Sequence, residues 1–318
     1  MALLGHAVPQ AAISKPDDTS DTAHLRSLMP ELPEAETIRR QLAPEIVGRR
    51  IEWVRVGKRD ILGRHRQSPR EFARLAAGRR ITAVGRRGKS LALTLDDADT
   101  LVVRLGMSGR LLVTQRAAPR APHTHVILGL GDGRELRYTD PRRFGEVFVA
   151  RGADLSAIPA LSKLGPEPLA RGLCEHLRRH LPRRSAAIKQ ALMDQRLLAG
   201  VGNIYADEAL FRAGVHPAQP ANTLNGDEVA RLCRAIRQVL RHAIRRCGTS
   251  SADGAYVDAR GAPGDFQNCL AVYQRAGRPC RRCGATIERM VLGGRSAHFC
   301  PVCQRKRRRK PRPSRVSP

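Results

Sequence analysis

Four cysteines near the end of the chain have the spacing of metal ligands. They form two pairs, each with two residues between its members and with sixteen residues between the pairs: Cys280, Cys283, Cys300 and Cys303. Each pair fits a tight knuckle, and four thiolates complete a tetrahedron around Zn²⁺. Because sulfur would fill all four positions, water has no place on the metal. The spacing therefore predicts one zinc ion with a structural role, in preference to four unrelated thiols.

The stretch between the two cysteine pairs predicts a short hairpin. Residues 285–299 have strand-like ends, and Gly293-Gly294-Arg295 stands in the middle, where the glycines permit a turn. We expect such a hairpin to project Arg295 outward. A metal-stapled hairpin that carries an arginine can probe a phosphate or a groove of a nucleic acid.

The charge of the chain points to a polyanionic partner. Its 318 residues carry 57 Lys+Arg against 29 Asp+Glu, which gives a formal net charge of +28. Hydrophobic residues make up 42%, which argues against wholesale disorder, and no apolar run approaches the ~20 residues of a membrane helix. Aromatic residues make up only 3%, which disfavours a protein that stacks the bases of single strands on aromatic platforms.

The elements that would position these residues change in type along the chain. A helical pattern opens at Pro33 and ends at Gly48, and residues 51–150 then show the short alternating runs of a mostly antiparallel β region. From about residue 162 the pattern is helical, with segments at 186–198, 203–213 and 227–247. The arginines along one side of the last segment are a solvated face on the plainest interpretation.

Three further stretches do not fit regular elements. Residues 1–28 are polar and irregular, and we interpret them as disordered or as absent from the mature protein. They lack the basic start and apolar core of a secretory signal, so a reducing, cytosolic setting is expected. Residues 249–265 are typical of a mobile loop. The tail, 304–318, holds eight basic and no acidic residues and is expected to add nonspecific DNA affinity or to bind a partner.

Six motifs together resemble the bacterial formamidopyrimidine-DNA glycosylases. Residues 29–37, MPELPEAET, resemble the start of that family. Five more follow in the family's order and are succeeded by the four-cysteine finger: 104–109 (RLGMSG), 138–145 (YTDPRRFG), 164–169 (LGPEPL), 192–195 (LMDQ) and 200–206 (GVGNIYA). The resemblance covers almost the whole body, residues 29–303. The related endonuclease VIII branch usually has Gly where Leu32 stands, which favours the first branch.

The resemblance implies an α+β multidomain fold. It places a catalytic β-sandwich with flanking helices at 29–160, a helix–two-turn–helix DNA-binding domain at 161–265 and a zinc-finger hairpin at 266–303. It also implies a bifunctional DNA glycosylase and AP lyase that acts on duplex DNA with oxidised bases, as a monomer in the bacterial cytoplasm at the nucleoid. Such enzymes excise oxidised purines such as 8-oxoguanine and ring-opened purines, and cut the strand by β,δ-elimination.

The residue that the resemblance makes the nucleophile is Pro30. A free terminal amine has a pKa of about 7.7–8.0, so part of it is neutral and nucleophilic at physiological pH. The nitrogen of an internal proline belongs to an amide, and its lone pair is delocalised. As numbered, Pro30 is internal. The simplest hypothesis is that translation starts at Met29 and that removal of this methionine exposes Pro30.

Three more residues match catalytic positions of the family. Glu31 would donate and shuttle protons at the sugar and the base, and Lys89 would donate a proton during β-elimination or grip a phosphate. Arg295 would serve δ-elimination or hold the lesion phosphate. Without the resemblance, Lys89 is equally well explained as a surface lysine beside a turn.

Six residues match DNA-contacting positions of the family. They comprise an inserted trio and three further contacts: Met107, Arg142, Phe144, His123, Arg184 and Asn203. A flipped-out nucleotide leaves a hole in the stack, which Met and Phe can fill while Arg bonds the orphaned cytosine. The alternative for Met107 and Phe144 is core packing, and the alternative for Asn203 is a plain helix N-cap.

Three rival functions stay open on the sequence. The first is the endonuclease VIII branch, which prefers oxidised pyrimidines. The second is a noncatalytic protein that binds lesions, which requires that Pro30 stays within the chain. The third is a zinc-ribbon RNA-binding or ribosomal protein, which explains the charge and the cysteines but leaves Pro30, Glu31 and Lys89 unexplained.

Overall fold

The structure is a computed structural model, and it describes residues 30–65, 67–250, 254 and 256–306. The extension 1–28 and most of the basic tail, which the sequence predicts to be disordered, lie outside the described residues. Among the described residues, no helix has the length and apolar character needed to cross a membrane.

Two antiparallel four-stranded sheets form the N-terminal part, in the orders β1-β6-β7-β5 and β2-β3-β4-β8. Their strands are β1 Ile51–Val56, β2 Ile81–Arg87, β3 Ser90–Leu95, β4 Thr100–Arg104, β5 Arg110–Gln115, β6 Thr124–Leu130, β7 Arg134–Thr139 and β8 Glu146–Ala150. Two α-helices flank them: α1 Leu32–Ile46 and α2 Pro69–Ala76. The sequence pattern does not predict β2 and β8, whose exposed and buried residues do not alternate regularly.

A single apolar core joins the two sheets to α1. The helix buries Ile38, Leu42 and Ile46 against residues of both sheets, as its helical spacing predicts. Pro33 in the first turn needs no N–H partner there and supports the start of the helix. The predicted β-sandwich with flanking helices is confirmed, and α1 carries its own N-terminus to the edge of the sandwich.

The second part is helical and has its own core. A short helix, α3 Pro159–Ser162, precedes it and packs Leu161 against the sandwich residues Val102 and Phe148. The helices of the second part are α4 Leu173–His180, α5 Ile188–Met193, α6 Asn203–Ala213 and α7 Gly226–Arg245. The expectation of one continuous segment over 186–198 is wrong, because α5 ends at Met193. Asp194 then accepts the backbone N–H of Arg196, at 2.9 Å, and starts a turn that leads into α6.

The zinc-finger hairpin consists of β9 Glu288–Leu292 and β10 Arg295–Phe299. A buried ion pair ties it to the helical part. The Nζ of Lys189 on α5 lies 2.7 Å from an Asp207 carboxylate oxygen on α6, and it also donates to the carbonyl of Ser296. The second oxygen of Asp207 accepts the backbone N–H of His298 at 2.9 Å. Lys189 and Asp207 are both fully buried.

Replacement of Asp207 by Asn should destabilise this joint by about 3–5 kcal/mol, because Lys189 is left buried without its counter-charge. Hydrogen exchange at the β10 amides and the urea midpoint of the helical part would measure the loss. The matched control is Glu175→Gln, which breaks the exposed pair with Arg179 and should cost less than about 1 kcal/mol. Equal losses in the two variants would contradict the assigned role of the buried pair.

Candidate active site and zinc centre

Pro30 and Glu31, the two residues that precede α1, lie against the turn that leads into α6. Pro30 and Glu31 are both buried. The backbone N–H of Leu32 donates to the carbonyl of Gly200 at 3.0 Å. Gly200 has a φ of +84°, a conformation that suits glycine, and a Cβ there would lie 2.7 Å from the Leu32 Cβ. The glycine turn therefore lets the N-terminal segment reach the helical part.

The carboxylate of Glu31 sits at the N-terminus of α6. It accepts the backbone N–H of Gly202 at 2.7 Å and that of Ile204 at 3.0 Å. Burial raises the pKa of Glu31 from its ordinary 4.5 to about 7; Lys89 and the two amides oppose this rise, and the charge of Glu34 adds to it. Glu31 can therefore hold or release a proton near neutral pH.

Lys89 meets Glu31 above Gly202. It lies, half-buried, in the turn between β2 and β3. A Cβ on Gly202 would stand 2.4 Å from the Glu31 Cδ and 2.7 Å from the Lys89 Nζ. Any side chain at position 202 would thus collide with both groups. Gly202 is required where an acid and an amine from two different parts of the chain converge.

A second buried carboxylate, that of Glu34, holds the surrounding segments together. It accepts the backbone N–H groups of Glu31 and Thr249, each at 2.8 Å, and the hydroxyl of Tyr205. Burial raises the pKa of Glu34. Tyr205 and Thr249 are site residues that the sequence did not reveal, although Tyr205 lies within the GVGNIYA motif.

The segment from 249 to 265, predicted to be a mobile loop, is anchored where it is described. Thr249, Tyr256 and Asp258 are buried. The side chain of Gln41 on α1 donates to Asp258 at 2.8 Å and accepts the backbone N–H of Ala259 at 2.9 Å. The segment therefore joins the end of α7 to α1.

The zinc-finger hairpin carries Arg295 beside α5. Arg295 is exposed at the start of β10, as predicted, and the adjacent turn contacts α5, since a Cβ on Gly293 would lie 2.3 Å from the Gln190 Nε2. The charges of Glu31 and Arg295 both act on the pKa of the buried Lys189, with opposite signs. Glu31 and Arg295 therefore both lie within electrostatic range of Lys189.

Two loops of the sandwich carry the predicted trio. Phe144 is 63% exposed, which excludes core packing for this residue, and Arg142 is exposed beside it. Met107 is half-buried on the neighbouring loop. The two loops are joined by the buried Asp140, whose carboxylate accepts the Ser108 hydroxyl on one loop and the backbone N–H of Gly145 on the other.

The other three predicted DNA contacts lie in different surroundings. Asn203 is the first residue of α6, and its buried Oδ1 has no hydrogen-bond partner among the described residues. Arg184 pairs with Asp194 at 2.7 Å. His123 is exposed with a φ of +64°. Within the described part of the chain, neither Arg184 nor His123 is hydrogen-bonded to Glu31 or Lys89.

The four cysteines form a cluster that fits a metal ion. All four Sγ atoms lie within 4.8 Å of one another. A tetrahedral zinc with Zn–S bonds of ~2.3 Å needs sulfur separations of roughly 3.8 Å. The Cys283–Cys300 distance is 3.5 Å and the Cys280–Cys303 distance is 4.0 Å. Backbone N–H groups of Arg282 and Cys303 also point at Sγ atoms, at 3.4 Å each, as in a zinc knuckle.

Three family descriptions match successive parts of the chain. The formamidopyrimidine-DNA glycosylase N-terminal domain matches residues 29–147, the H2TH domain of the same enzymes matches 164–254, and the zinc finger found in FPG and IleRS matches 277–305. A relative from Herpetosiphon aurantiacus, named formamidopyrimidine-DNA glycosylase, is 48% identical over 279 residues, which are 87% of this chain and 100% of that protein. The chain belongs to the formamidopyrimidine-DNA glycosylase family.

Another relative and two solved structures support the same family assignment. The formamidopyrimidine-DNA glycosylase of Moorella thermoacetica is 50% identical over 263 residues, 82% of this chain and 94% of that protein. The crystal structure of MutM (Fpg) from Thermus thermophilus has a TM-score of 0.78 and 44% identity, and covers 88% of this chain and 100% of its own. A complex of Lactococcus lactis Fpg with abasic-site DNA has a TM-score of 0.78 and 34% identity, with 87% and 100% covered.

Family membership confirms several predictions from the sequence. The chain is a DNA glycosylase of base excision repair with AP lyase activity. The three-part fold is confirmed by the matching domains. The zinc-finger match and the four-cysteine cluster together support one structural zinc, held by Cys280, Cys283, Cys300 and Cys303. When bound, the ion supplies the cross-link that holds the hairpin.

The carboxyl of Glu31 should titrate with a pKa of about 7, and Glu34→Gln should lower that pKa, because it removes a neighbouring negative charge. Carbon-detected NMR of labelled glutamate carboxyls measures both values. The control is Glu45→Gln at the far end of α1, which should leave the Glu31 pKa unchanged.

The free energy of unfolding should change with pH as the Glu31 carboxyl titrates. Because the folded state holds the Glu31 proton more tightly than the unfolded chain does, this group makes the free energy of unfolding fall as pH rises from 4.5 to about 7. A Glu31 carboxyl that titrates near 4.5 in the native protein would show that burial does not control it.

Proposed function

We propose that this chain excises oxidised purines, such as 8-oxoguanine and formamidopyrimidines, from duplex DNA through a Schiff base on Pro30. The observation that carries the proposal is the meeting of the Glu31 carboxyl and the Lys89 ammonium group above Gly202, directly beside Pro30. An acid and an amine at this point can move protons at a sugar that Pro30 attacks.

The nucleophile requires a mature chain that starts at Pro30. The family match that begins at residue 29 supports a start at Met29. Once that methionine is removed, the neutral secondary amine of Pro30 attacks C1′ of the damaged nucleotide, the C1′–N bond to the base breaks, and the base leaves with a proton. The nitrogen of Pro30 loses its proton, and the C1′–O4′ bond then opens with a proton delivered to O4′, which leaves an iminium between the Pro30 nitrogen and C1′. Loss of a proton from C2′ of the resulting iminium then expels the 3′ phosphate, and a second elimination expels the 5′ phosphate.

The neighbouring groups supply the proton transfers. Glu31, with its pKa of about 7, can be protonated when the sugar or the base needs a proton and ionised when it must accept one. Lys89 provides a donor or a phosphate grip during β-elimination. Arg295, exposed on the hairpin, serves δ-elimination or holds the lesion phosphate.

The six DNA-contacting residues predicted from the sequence open and hold the duplex. Phe144 and Met107 fill the space of the flipped nucleotide, and Arg142 bonds the orphaned cytosine. Asn203, the first residue of α6, contacts the DNA backbone through its side-chain amide. Arg184 and His123 add contacts to the backbone. We propose that the protein acts as a monomer in the cytoplasm.

Borohydride trapping on an 8-oxoguanine:cytosine duplex tests this function. A chain that begins at Pro30 should form a covalent adduct, and peptide mass spectrometry should place it on the Pro30 nitrogen. A matched chain with Gly-Ser placed before Pro30 should form no adduct at that nitrogen, because it is then an amide. An adduct on another atom, or equal strand cleavage by both chains, would refute the proline mechanism.

Assays on duplexes with different lesions distinguish the alternative functions. Efficient release of an oxidised pyrimidine with little release of 8-oxoguanine would favour the endonuclease VIII specificity. Tight lesion binding without any adduct or product would favour a noncatalytic binder.

Removal of zinc should weaken DNA binding before the β-sandwich unfolds, because the hairpin that carries Arg295 depends on the metal while the sandwich has its own core. Chelator titration would be followed by fluorescence anisotropy of a lesion duplex and by hydrogen exchange in β1–β8. A Cys283→Ser variant should repeat the effect. Simultaneous loss of DNA binding and sandwich protection would contradict this separation.

A further inference from the structure

A second basic cleft lies at the end of α6 that is remote from Glu31. Its volume is about 340 Å³. It is lined by four arginines and two other residues, none of them acidic: Arg212, Arg231, Arg234, Arg282, Ala235 and Gln238. Guanidinium groups that converge on one cavity suit an anion with several oxygens, of which a phosphodiester backbone is the commonest partner.

This cleft is separate from the site around Glu31. Asn203 and Arg212 lie at opposite ends of α6, about 14 Å apart by helical rise. Arg231 lies about 21 Å along α7 from Arg245. The segment just beyond Arg245 is the one that contacts Glu34, since a Cβ on Gly248 would lie 2.8 Å from its Oε1. The cleft is therefore at the far ends of both helices.

The four guanidinium groups keep most of their donors unused. Arg212 donates from Nε to Gln238 at 2.6 Å, and Arg231 donates from Nε to the carbonyl of Ala213 at 3.2 Å. Arg282 lies 4.4 Å above the ring of Phe211. Arg234 has no hydrogen bond or ion pair with any described residue. Three of the four arginines are thus held in place by contacts that leave their charges uncompensated.

Several arginines elsewhere in the described chain lie beside carboxylates. Arg86 pairs with Glu36 and Glu167, and Arg137 pairs with the fully buried Glu135. The cleft differs from these places because no acidic residue is among its lining residues.

The basic tail leaves the zinc finger at this same end of α6. The Nε2 of Gln304 donates to the carbonyl of Val215 at 2.9 Å, and a Cβ on Gly214 would lie 3.4 Å from the Cys303 carbonyl oxygen. Arg305 and Lys306 follow directly. Arg305 and Lys306 thus follow a segment that packs at this end of α6.

We propose that this cleft binds the phosphate backbone of a second DNA segment while the cleft at Glu31 holds the first. The proposal rests on DNA binding at the Glu31 cleft, and it adds a route for direct transfer of the enzyme between DNA segments. Two basic surfaces on separate faces allow both segments to be bound before the first is released.

The test is the dissociation rate of the full chain from a fluorescent duplex with a tetrahydrofuran abasic analogue, measured against the concentration of an unlabelled, undamaged duplex. With direct transfer, the rate rises with competitor concentration. The slope is the increase in dissociation rate per unit of competitor concentration, divided by the same protein's rate without competitor. For the double variant Arg212→Gln/Arg234→Gln, we expect this slope to fall by about tenfold at low salt. Both arginines are exposed, so the fold should tolerate the change.

The matched control is Arg241→Gln/Arg245→Gln, which removes two exposed charges from α7 outside the cleft and should keep the slope. Equal slopes for the two double variants, or a wild-type rate that does not depend on competitor DNA, would overturn the proposal. Acceleration by an RNA duplex alone would also overturn it. Because the assay reads binding and not base release, failure of the proline chemistry would leave its outcome unaffected.

Discussion

The carboxylate of Glu31, buried against the first N–H groups of α6, is the contact on which the rest of the site depends. It joins two parts of the chain separated by 171 residues, through Gly202. A buried carboxylate is costly unless hydrogen bonds and positive charge compensate it, and the end of a helix provides both. The same contact holds Pro30 at the junction of the sandwich and the helical part.

The positive charge and hydrogen bonds around Glu31 do not fully offset the cost of burying its carboxylate. Burial and the nearby Glu34 outweigh Lys89 and the two amides, so the pKa of Glu31 rises to about 7. A carboxyl in a polar surface site would be ionised at neutral pH and would have no proton to donate. The arrangement that links the domains is therefore also the one that makes Glu31 suitable for proton transfer.

The helix α6 carries or contacts several buried charged groups of the described chain. Its start receives Glu31, and further along Tyr205 donates to Glu34 and Asp207 pairs with Lys189. Glu208 accepts three backbone N–H groups from residues 271–273, which lead into the zinc finger. These buried carboxylates thus have hydrogen-bond or ionic partners, while Phe144, Arg142 and Arg295 stay exposed. A rigid interior that supports exposed probes is what a protein needs to insert side chains into duplex DNA.

The sequence by itself determined the features that depend on local spacing. The zinc ligands, the start of α1 and the hairpin with Arg295 follow from intervals of a few residues, and the ordered motifs identified the family and named Pro30, Glu31 and Lys89. Tertiary structure decided which distant groups meet: Lys89 with Glu31 above Gly202, Glu34 with Thr249, and the four arginines of the second cleft. It also decided that Phe144 is exposed and that Lys189 is buried. Burial and charge pairing arise from residues far apart in the chain, so no local pattern specifies them.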